Sequence, residues 1–202
     1  MAGVREKKKA RTQESILRAA KKLFVRKGYR NTRIEDIAAE AEVGVGTAYN
    51  YFGSKRGLLL GLMNVEITEI LIEGEKYIAG AGNDPVRALG DLIGIYLDRI
   101  RTWDKELLRE LVASGIVEQG TGEELMKDDY RLMAQITNLV KKYQEDGVLD
   151  GKIEPDRITM IVYSVLWTRV LMYMMLEGIS IDLVKEEVIK DIKLVFHGWK
   201  ES

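Results

Sequence analysis

The chain has 202 residues, 46% of them hydrophobic, which is enough to bury a core in one or two domains. The absence of cysteine excludes disulfides, thiolate metal sites and a cysteine nucleophile, and the single histidine, His197, has no evident partner for a Ser-His-Asp triad. We find no apolar signal segment behind the charged N-terminus and no uncharged run of the ~18 residues that a membrane span needs, so we expect a cytoplasmic protein with no membrane partner and no cofactor.

The net charge of −1 conceals two parts of opposite charge. Residues 1–57 carry 14 Lys and Arg against 6 Asp and Glu, a net of +8, whereas residues 58–202 carry 17 against 26, a net of −9. A basic segment attached to an acidic body is typical of a polyanion-binding module carried by a domain with another task. Composition alone leaves open the alternative of a solvated charge run that favours helix.

Hydrophobic periodicity predicts helices along nearly the whole chain, with no strand-like segment and no internal repeat. The first helix is predicted over residues 12–27, with Thr12 as its N-cap. Before it, residues 5–11 form a basic arm that we expect to gain order on a phosphate backbone. The second helix is short and begins after Thr32, which makes a capping-box pattern with Glu35.

A third short helix is predicted to end near Tyr51, and Ser54 then caps a long fourth helix that runs toward Ala79. Gly57 and Gly61, near the start of that helix, either ease its pivoting or allow close packing. A linker at residues 79–84 follows. Five further helices are predicted over residues 84–103, 104–118, 121–145, 155–177 and 180–199. The predicted fold class is all-α with about nine helices, and the domain boundary lies at residue 57.

The second and third predicted helices, joined by a tight turn and packed on the first, form a helix-turn-helix. The third carries the stretch GVGTAYNYFGSK (44–55), which is rich in hydrogen-bonding side chains and poor in aliphatic ones. A helix that enters the major groove needs such side chains to reach phosphates and base edges, and small residues where its backbone meets the DNA. We therefore predict that this helix binds double-stranded DNA.

The segment TRIEDIAAEAEVGVGTAYNYFGSKRGLL resembles the DNA-binding segment of the TetR family of one-component transcriptional regulators, and the resemblance covers residues 12–60. It implies DNA-phosphate contacts from Thr32, Tyr49, Tyr51 and Lys55. It also implies contacts with bases or the groove from Arg33, Gly44, Val45, Gly46, Thr47 and Asn50.

Three positions depart from the family pattern. Gly44 stands where a serine is frequent, Ala48 replaces a larger apolar residue, and Glu42 replaces a turn glycine. The residue types also leave two alternatives open. Tyr49 and Tyr51 could pack between helices, and Lys55 could be an ordinary surface lysine.

The acidic body, residues 58–202, is rich in methionine and in aromatic residues at helical spacing. Such residues are more often plain core, but flexible thioethers and aromatic rings also suit an adaptable apolar pocket. We predict a pocket for a small apolar or amphipathic effector, lined by Tyr96, Ile100, Trp103, Leu107, Leu111, Met133, Ile136, Tyr163 and Trp167.

The last two predicted helices indicate a homodimer. Residues 158–176 are apolar nearly all round with only Arg169 charged, and the final helix has an amphipathic face. The resemblance implies that these helices pair with their copies, and a two-fold dimer would read both halves of a palindrome. The predicted interface consists of Met160, Ser164, Arg169, Leu171, Val184, Val188, Ile192, Val195, Phe196 and Trp199.

These features predict a DNA-binding domain over residues 1–57 and a ligand-binding and dimerisation domain over residues 58–202. The predicted function is a non-enzymatic, homodimeric repressor that leaves its operator when an effector binds. One alternative is an architectural DNA-binding protein without an effector. Another is an enzyme that uses the carboxylates of Glu123, Asp128 and Asp129, although their basic neighbours favour a solvated helix face.

Overall fold

The computed structural model describes the backbone of residues 2–117 and 121–198, and the side chains of residues 3–113, 127 and 129–196. Within these ranges the chain forms nine helices and no strand, which confirms the all-α class. The helices are α1 (Ala2–Lys27), α2 (Ile34–Glu40), α3 (Val45–Phe52), α4 (Lys55–Ala79), α5 (Pro85–Ile100), α6 (Lys105–Val117), α7 (Thr121–Glu145), α8 (Pro155–Met175) and α9 (Ile181–Gly198).

Helix α1 begins ten residues earlier than predicted, so the expected basic arm is helical. Lysine, arginine, glutamate and alanine favour helix, and no proline interrupts them. Thr12 does not cap this helix. Its hydroxyl donates to the Lys8 carbonyl at 3.0 Å, as a threonine inside a helix commonly does.

Helices α1, α2 and α3 pack around a small core that includes Ile16, Phe24, Ile37 and Ala48. The predicted capping box of α2 is shifted by one residue. Arg33 occupies the N-cap, and its backbone N–H donates to the Asp36 carboxylate at 3.4 Å.

The junction between α3 and α4 depends on two glycines. Ser54 caps α4 as predicted, accepting a hydrogen bond from the Gly57 N–H at 3.0 Å. A Cβ on Gly57 would lie 1.9 Å from the Phe52 carbonyl oxygen, and one on Gly61 would lie 3.0 Å from the Phe52 ring. Both glycines therefore allow close packing. This observation favours the packing role over the alternative that they ease pivoting of α4.

Helices α5 to α9 form the body, and α4 packs on α1 and α3 at one end and on α5 and α7 at the other. Helix α9 lies mainly along α5, and α8 packs against α6, α7 and α9. Pro85 and Pro155 begin α5 and α8 as predicted, where a missing N–H costs nothing.

One of the described helices, α8, is long and apolar enough to cross a membrane by length and composition alone. This corrects the expectation that no segment comes near that composition. The helix contributes seven buried side chains to the body, and a core helix of a soluble protein satisfies the same criterion.

Candidate DNA-binding face and ligand cavity

Helix α3 turns its polar face outward. Ala48 is fully buried and anchors the helix, whereas Val45, Tyr49 and Asn50 are exposed, as are Gly44 and Gly46 at its N-terminus. The side chain of Tyr49 is 45% exposed, so its ring is not packed between helices. These positions form a surface that a DNA groove can reach.

Two other residues of α3 that are predicted to contact the DNA are less exposed to solvent. Thr47 and Tyr51 are half-buried, and the Tyr51 ring lies 6.3 Å from the Phe52 ring. Arg33 is exposed at the start of α2. The structure thus brings the α2 N-terminus and α3 onto one side of the small domain.

Thr32 and Lys55 are engaged inside the protein. The hydroxyl of Thr32, a residue that is 1% exposed, donates to the Gly28 carbonyl at 2.8 Å and to the Leu23 carbonyl at 3.3 Å. In this conformation a DNA phosphate cannot reach that hydroxyl. The side chain of Thr32 instead fixes the loop between α1 and α2.

The ammonium group of Lys55 also holds the α1–α2 loop. It donates to the Tyr29 carbonyl at 3.0 Å and lies 4.4 Å from the centre of the Tyr29 ring. Burial lowers the pKa of Lys55. Lys55 is therefore no ordinary surface lysine, because it ties the start of α4 to the loop that precedes α2.

The first turns of α1 extend this face. They share with α3 a surface groove of ≈ 670 Å³, lined by Arg5, Glu6, Lys8, Lys9, Thr12, Thr47 and Tyr51. Three basic side chains thus lie beside two residues predicted to contact DNA. Sequence reasoning missed this arrangement because it treated residues 5–11 as an arm; their high helix propensity was the available signal.

A cavity of ≈ 200 Å³ lies within the body, between α4, α5, α6, α7 and α8. Six of the predicted residues line it: Tyr96, Ile100, Trp103, Leu111, Tyr163 and Trp167. Leu107, Met133 and Ile136 do not, and Leu107 and Ile136 are buried in the core. Their neighbours Leu108 and Leu132 line the cavity instead, since one residue along a helix turns the side chain by about 100°.

Sequence reasoning missed the wall contributed by α4, which consists of Met63, Glu66, Ile67 and Ile70. A glutamate inside the apolar run of α4 was the signal. Glu66 is 3% exposed and carries two ion pairs, one from Lys21 at 2.5 Å and one from Arg99 at 2.8 Å. It therefore connects the cavity wall to α1.

Most polar groups of the cavity wall already have partners. The Tyr96 hydroxyl donates to Gln135 Oε1 at 2.7 Å, and Gln135 in turn donates to the Leu71 carbonyl at 2.7 Å. Burial raises the pKa of Tyr163, and a hydrogen bond with Asp129 raises it further. Asp129 thus belongs to the cavity wall, while the side chains of Glu123 and Asp128 lie outside the described residues.

The predicted dimer interface is only partly open to a second copy. Val184, Val188, Ile192 and Phe196 are buried within the chain, where α9 packs along α5. In this conformation these four side chains expose almost no surface to a second copy, and Val195 is half-buried. Trp199 lies outside the described residues.

The residues predicted on α8 are more accessible. Met160, Ser164 and Leu171 are exposed, and Arg169 pairs with Asp191 at 2.9 Å and with Glu187 at 3.4 Å. We define the apolar stripe as the exposed side chains Met160, Trp167, Leu171 and Met175 of α8 with Leu183 and Leu194 of α9. Of these six residues, only Met160 and Leu171 belong to the predicted interface.

Known proteins with similar sequences or structures agree with this architecture. A family model described as bacterial regulatory proteins, tetR family, fits residues 16–62. The transcriptional regulator TcmR of Streptomyces glaucescens is 31% identical over 109 residues, which are 52% of this chain and 45% of TcmR. The repressor SCO4008 of Streptomyces coelicolor is 29% identical over 163 residues, or 77% of each chain.

Solved structures agree in fold. The TetR-family repressor FadR of Thermus thermophilus, crystallised with lauroyl-CoA, superimposes with a TM-score of 0.68 at 23% identity over 91% of this chain and 92% of FadR. The match with TcmR spans less than half of that relative. Residues 16–62 therefore form a helix-turn-helix of the tetR-family type, and the chain shares its fold with solved TetR-family structures.

Proposed function

We propose that the protein is a cytoplasmic, homodimeric repressor that binds a palindromic operator and leaves it when a small apolar or amphipathic effector fills the cavity. One observation carries the proposal. Glu66 forms part of the cavity wall and is ion-paired to Lys21 of α1. One carboxylate therefore connects the ligand cavity to the first helix of the DNA-binding part.

The DNA-binding part of the proposal assigns two kinds of contact. Val45, Thr47, Asn50 and the α3 N-terminus would lie in the major groove, where an asparagine can pair with an adenine edge. Tyr49, Tyr51 and the basic side chains at the start of α1 would hold the phosphates on either side.

Two connections support coupling between the cavity and the DNA-binding face. The first is the Lys21–Glu66 pair. The second joins Arg30, in the loop after α1, to Glu106 at 2.8 Å and to Glu110 at 3.0 Å on α6. A ligand that displaces α4 or α6 would therefore displace the small domain with it.

The required energy is modest. An effector that weakens operator binding 100-fold needs a coupling free energy of about 2.7 kcal/mol. Such a change is achieved when the ligand favours a dimer whose recognition helices no longer match two half-sites roughly 34 Å apart.

The apolar stripe supports the homodimer. Six large apolar side chains are exposed on two adjacent helices, and exposed apolar surface of this kind often marks an interaction site. A two-fold arrangement would cover the stripe with its own copy, which is the usual form of a homodimeric interface.

The test begins with selection of genomic fragments by the purified protein, followed by fluorescence anisotropy of the enriched sequence at several salt concentrations. We expect a palindrome and a roughly tenfold or greater loss of affinity for Tyr49→Ala, because each dimer loses two DNA contacts. Tyr130→Ala is the matched control, since Tyr130 is exposed on α7. Equal binding of unrelated sequences would instead support an architectural DNA-binding protein.

A further inference from the structure

Trp103, a residue of the cavity wall, carries an unusual buried group. The residue is 3% exposed, lines the cavity, and its Nε1–H has no hydrogen-bond partner among the described residues. An indole N–H can only donate, so only a hydrogen-bond acceptor relieves the deficit. Buried side-chain donors are nearly always paired, which makes this group an indication of a missing acceptor.

The remaining wall is largely apolar. Aliphatic side chains from α4, α5, α6, α7 and α8 surround the rings of Trp103, Tyr96, Tyr163 and Trp167. The hydroxyl of Tyr96 is already committed to Gln135. A ligand therefore gains most from apolar burial, and the Trp103 N–H offers it one directional contact.

The charged residues of the wall disfavour an anionic ligand. Glu66 and Arg99 pair with each other at 2.8 Å, and Asp129 adds a second carboxylate. Acidic groups thus outnumber basic groups among the lining residues. In a poorly hydrated cavity, a carboxylate ligand would meet repulsion as well as the cost of its own desolvation.

The volume limits the size of the ligand. An apolar cavity of about 150 Å³ admits a molecule of the size of benzene. This one measures ≈ 200 Å³, which is close to the size of a single ring with a short substituent.

On the basis of the function proposed above, we propose that the effector is a compact, uncharged, mainly apolar molecule whose carbonyl or hydroxyl oxygen accepts a hydrogen bond from Trp103 Nε1–H. Trp103 is then the residue that selects oxygen-bearing ligands over hydrocarbons of the same shape. The apolar walls supply most of the affinity.

Three probes of the same shape test this class: acetophenone, its isostere α-methylstyrene, which has a methylene in place of the oxygen, and benzoate. Each is titrated into the DNA-free, ¹⁵N-labelled protein, and the indole N–H resonances are followed by NMR. The chain has three tryptophans, and loss of one resonance in Trp103→Phe assigns Trp103.

We expect acetophenone to bind roughly tenfold more tightly than α-methylstyrene and to move the Trp103 indole proton downfield, because only the ketone supplies an acceptor. Benzoate should bind more weakly than either. Trp103→Phe should abolish the preference for the ketone, whereas Tyr130→Phe, which alters an exposed ring outside the cavity wall, should keep it.

Equal affinities of acetophenone and α-methylstyrene for the unmodified protein would overturn the inference without the need for any variant. Tighter binding of benzoate, or failure of all three probes to bind, would also overturn it. Because these titrations contain no DNA, their outcome is independent of the operator selection. A protein that binds the ketone but no operator would contradict the proposed repressor and leave the ligand class standing.

Discussion

The ammonium of Lys21 lies 2.5 Å from a carboxylate oxygen of Glu66, so one ion pair joins the first helix to the wall of the cavity. The Glu66 side chain is 4% exposed and that of Lys21 is 40% exposed. The carboxylate thus depends on its two cations, Lys21 and Arg99, because burial has removed most of its hydration.

Lys21→Met should lower the free energy of unfolding by about 1–2 kcal/mol, since Glu66 then keeps only Arg99 as its partner. The same change should reduce the effect of acetophenone on operator affinity. Lys22→Met is the matched control, because Lys22 pairs with Glu40 closer to the surface. Urea unfolding and anisotropy measure the two effects, and equal results for both variants would rule out a coupling role for Glu66.

Gly57→Ala should destabilise the protein by about 1–3 kcal/mol, because the new Cβ would lie 1.9 Å from the Phe52 carbonyl oxygen. The junction between α3 and α4 must open to admit it, so operator affinity should fall as well. Gly82→Ala, with open space around the added methyl group, should leave both properties nearly unchanged. Wild-type stability of Gly57→Ala would show that this junction is not as tightly packed as described.

Glu42 has φ of 55°, in the left-handed region that non-glycine residues rarely adopt. Glu42→Gly should therefore raise the free energy of unfolding by up to about 1 kcal/mol, the relief of strain being partly offset by greater freedom of the unfolded chain. Glu42→Ala removes the same carboxylate but keeps a Cβ, so it should give no such gain. If both variants gain stability equally, charge rather than backbone strain is responsible.

The double variant Lys8→Gln, Lys9→Gln should weaken operator binding mainly at low salt. The slope of log affinity against log salt should fall by about 0.9 for each phosphate contact that is lost. Lys141→Gln, Lys152→Gln removes the same charge from exposed positions of the body and should preserve the slope. Anisotropy titrations across a salt series distinguish the two, and an unchanged slope in the first variant would remove the start of α1 from the DNA-binding face.

Leu171→Glu should convert the proposed dimer to a monomer, because a carboxylate buried in an apolar interface lacks a partner and the two-fold symmetry introduces it twice. Leu171 and Val148 are similarly exposed, at 38% and 40%, so Val148→Glu controls for the added charge. Sedimentation velocity gives the mass of each variant. A Leu171→Glu protein that still sediments as a dimer would place the interface elsewhere.

The sequence predicted features that depend on local chemistry. Ser54, Pro85 and Pro155 mark helix starts because capping and the geometry of proline act within a few residues. The same local rules misplaced the start of α1, where Thr12 has the properties of a cap but its hydroxyl bonds back to Lys8. A threonine can cap the start of a helix or bond back to a carbonyl inside one. The helix propensity of the residues before it decides between these two roles.

Features that depend on the partner of a face could not be predicted from the sequence. The apolar side of α9 was predicted to be buried by a second copy, yet Val184, Val188 and Ile192 are already buried within the chain, where α9 packs along α5 and α8. Periodicity identifies which side of a helix avoids water, but it does not identify what covers that side. The cavity shows the same limit, because Leu108 and Leu132 line it in place of the predicted Leu107 and Met133.

In the homodimer proposed above, the apolar stripe would link the lifetime of the protein to its abundance. A subunit without its copy exposes Met160, Leu171, Met175 and Leu194 to water, and such surface is what chaperones and proteases select. Unpaired chains made at low synthesis rates should therefore be removed faster than paired ones. The number of competent repressors per cell would then rise more steeply than the rate of synthesis, giving the switch a threshold before any effector is present.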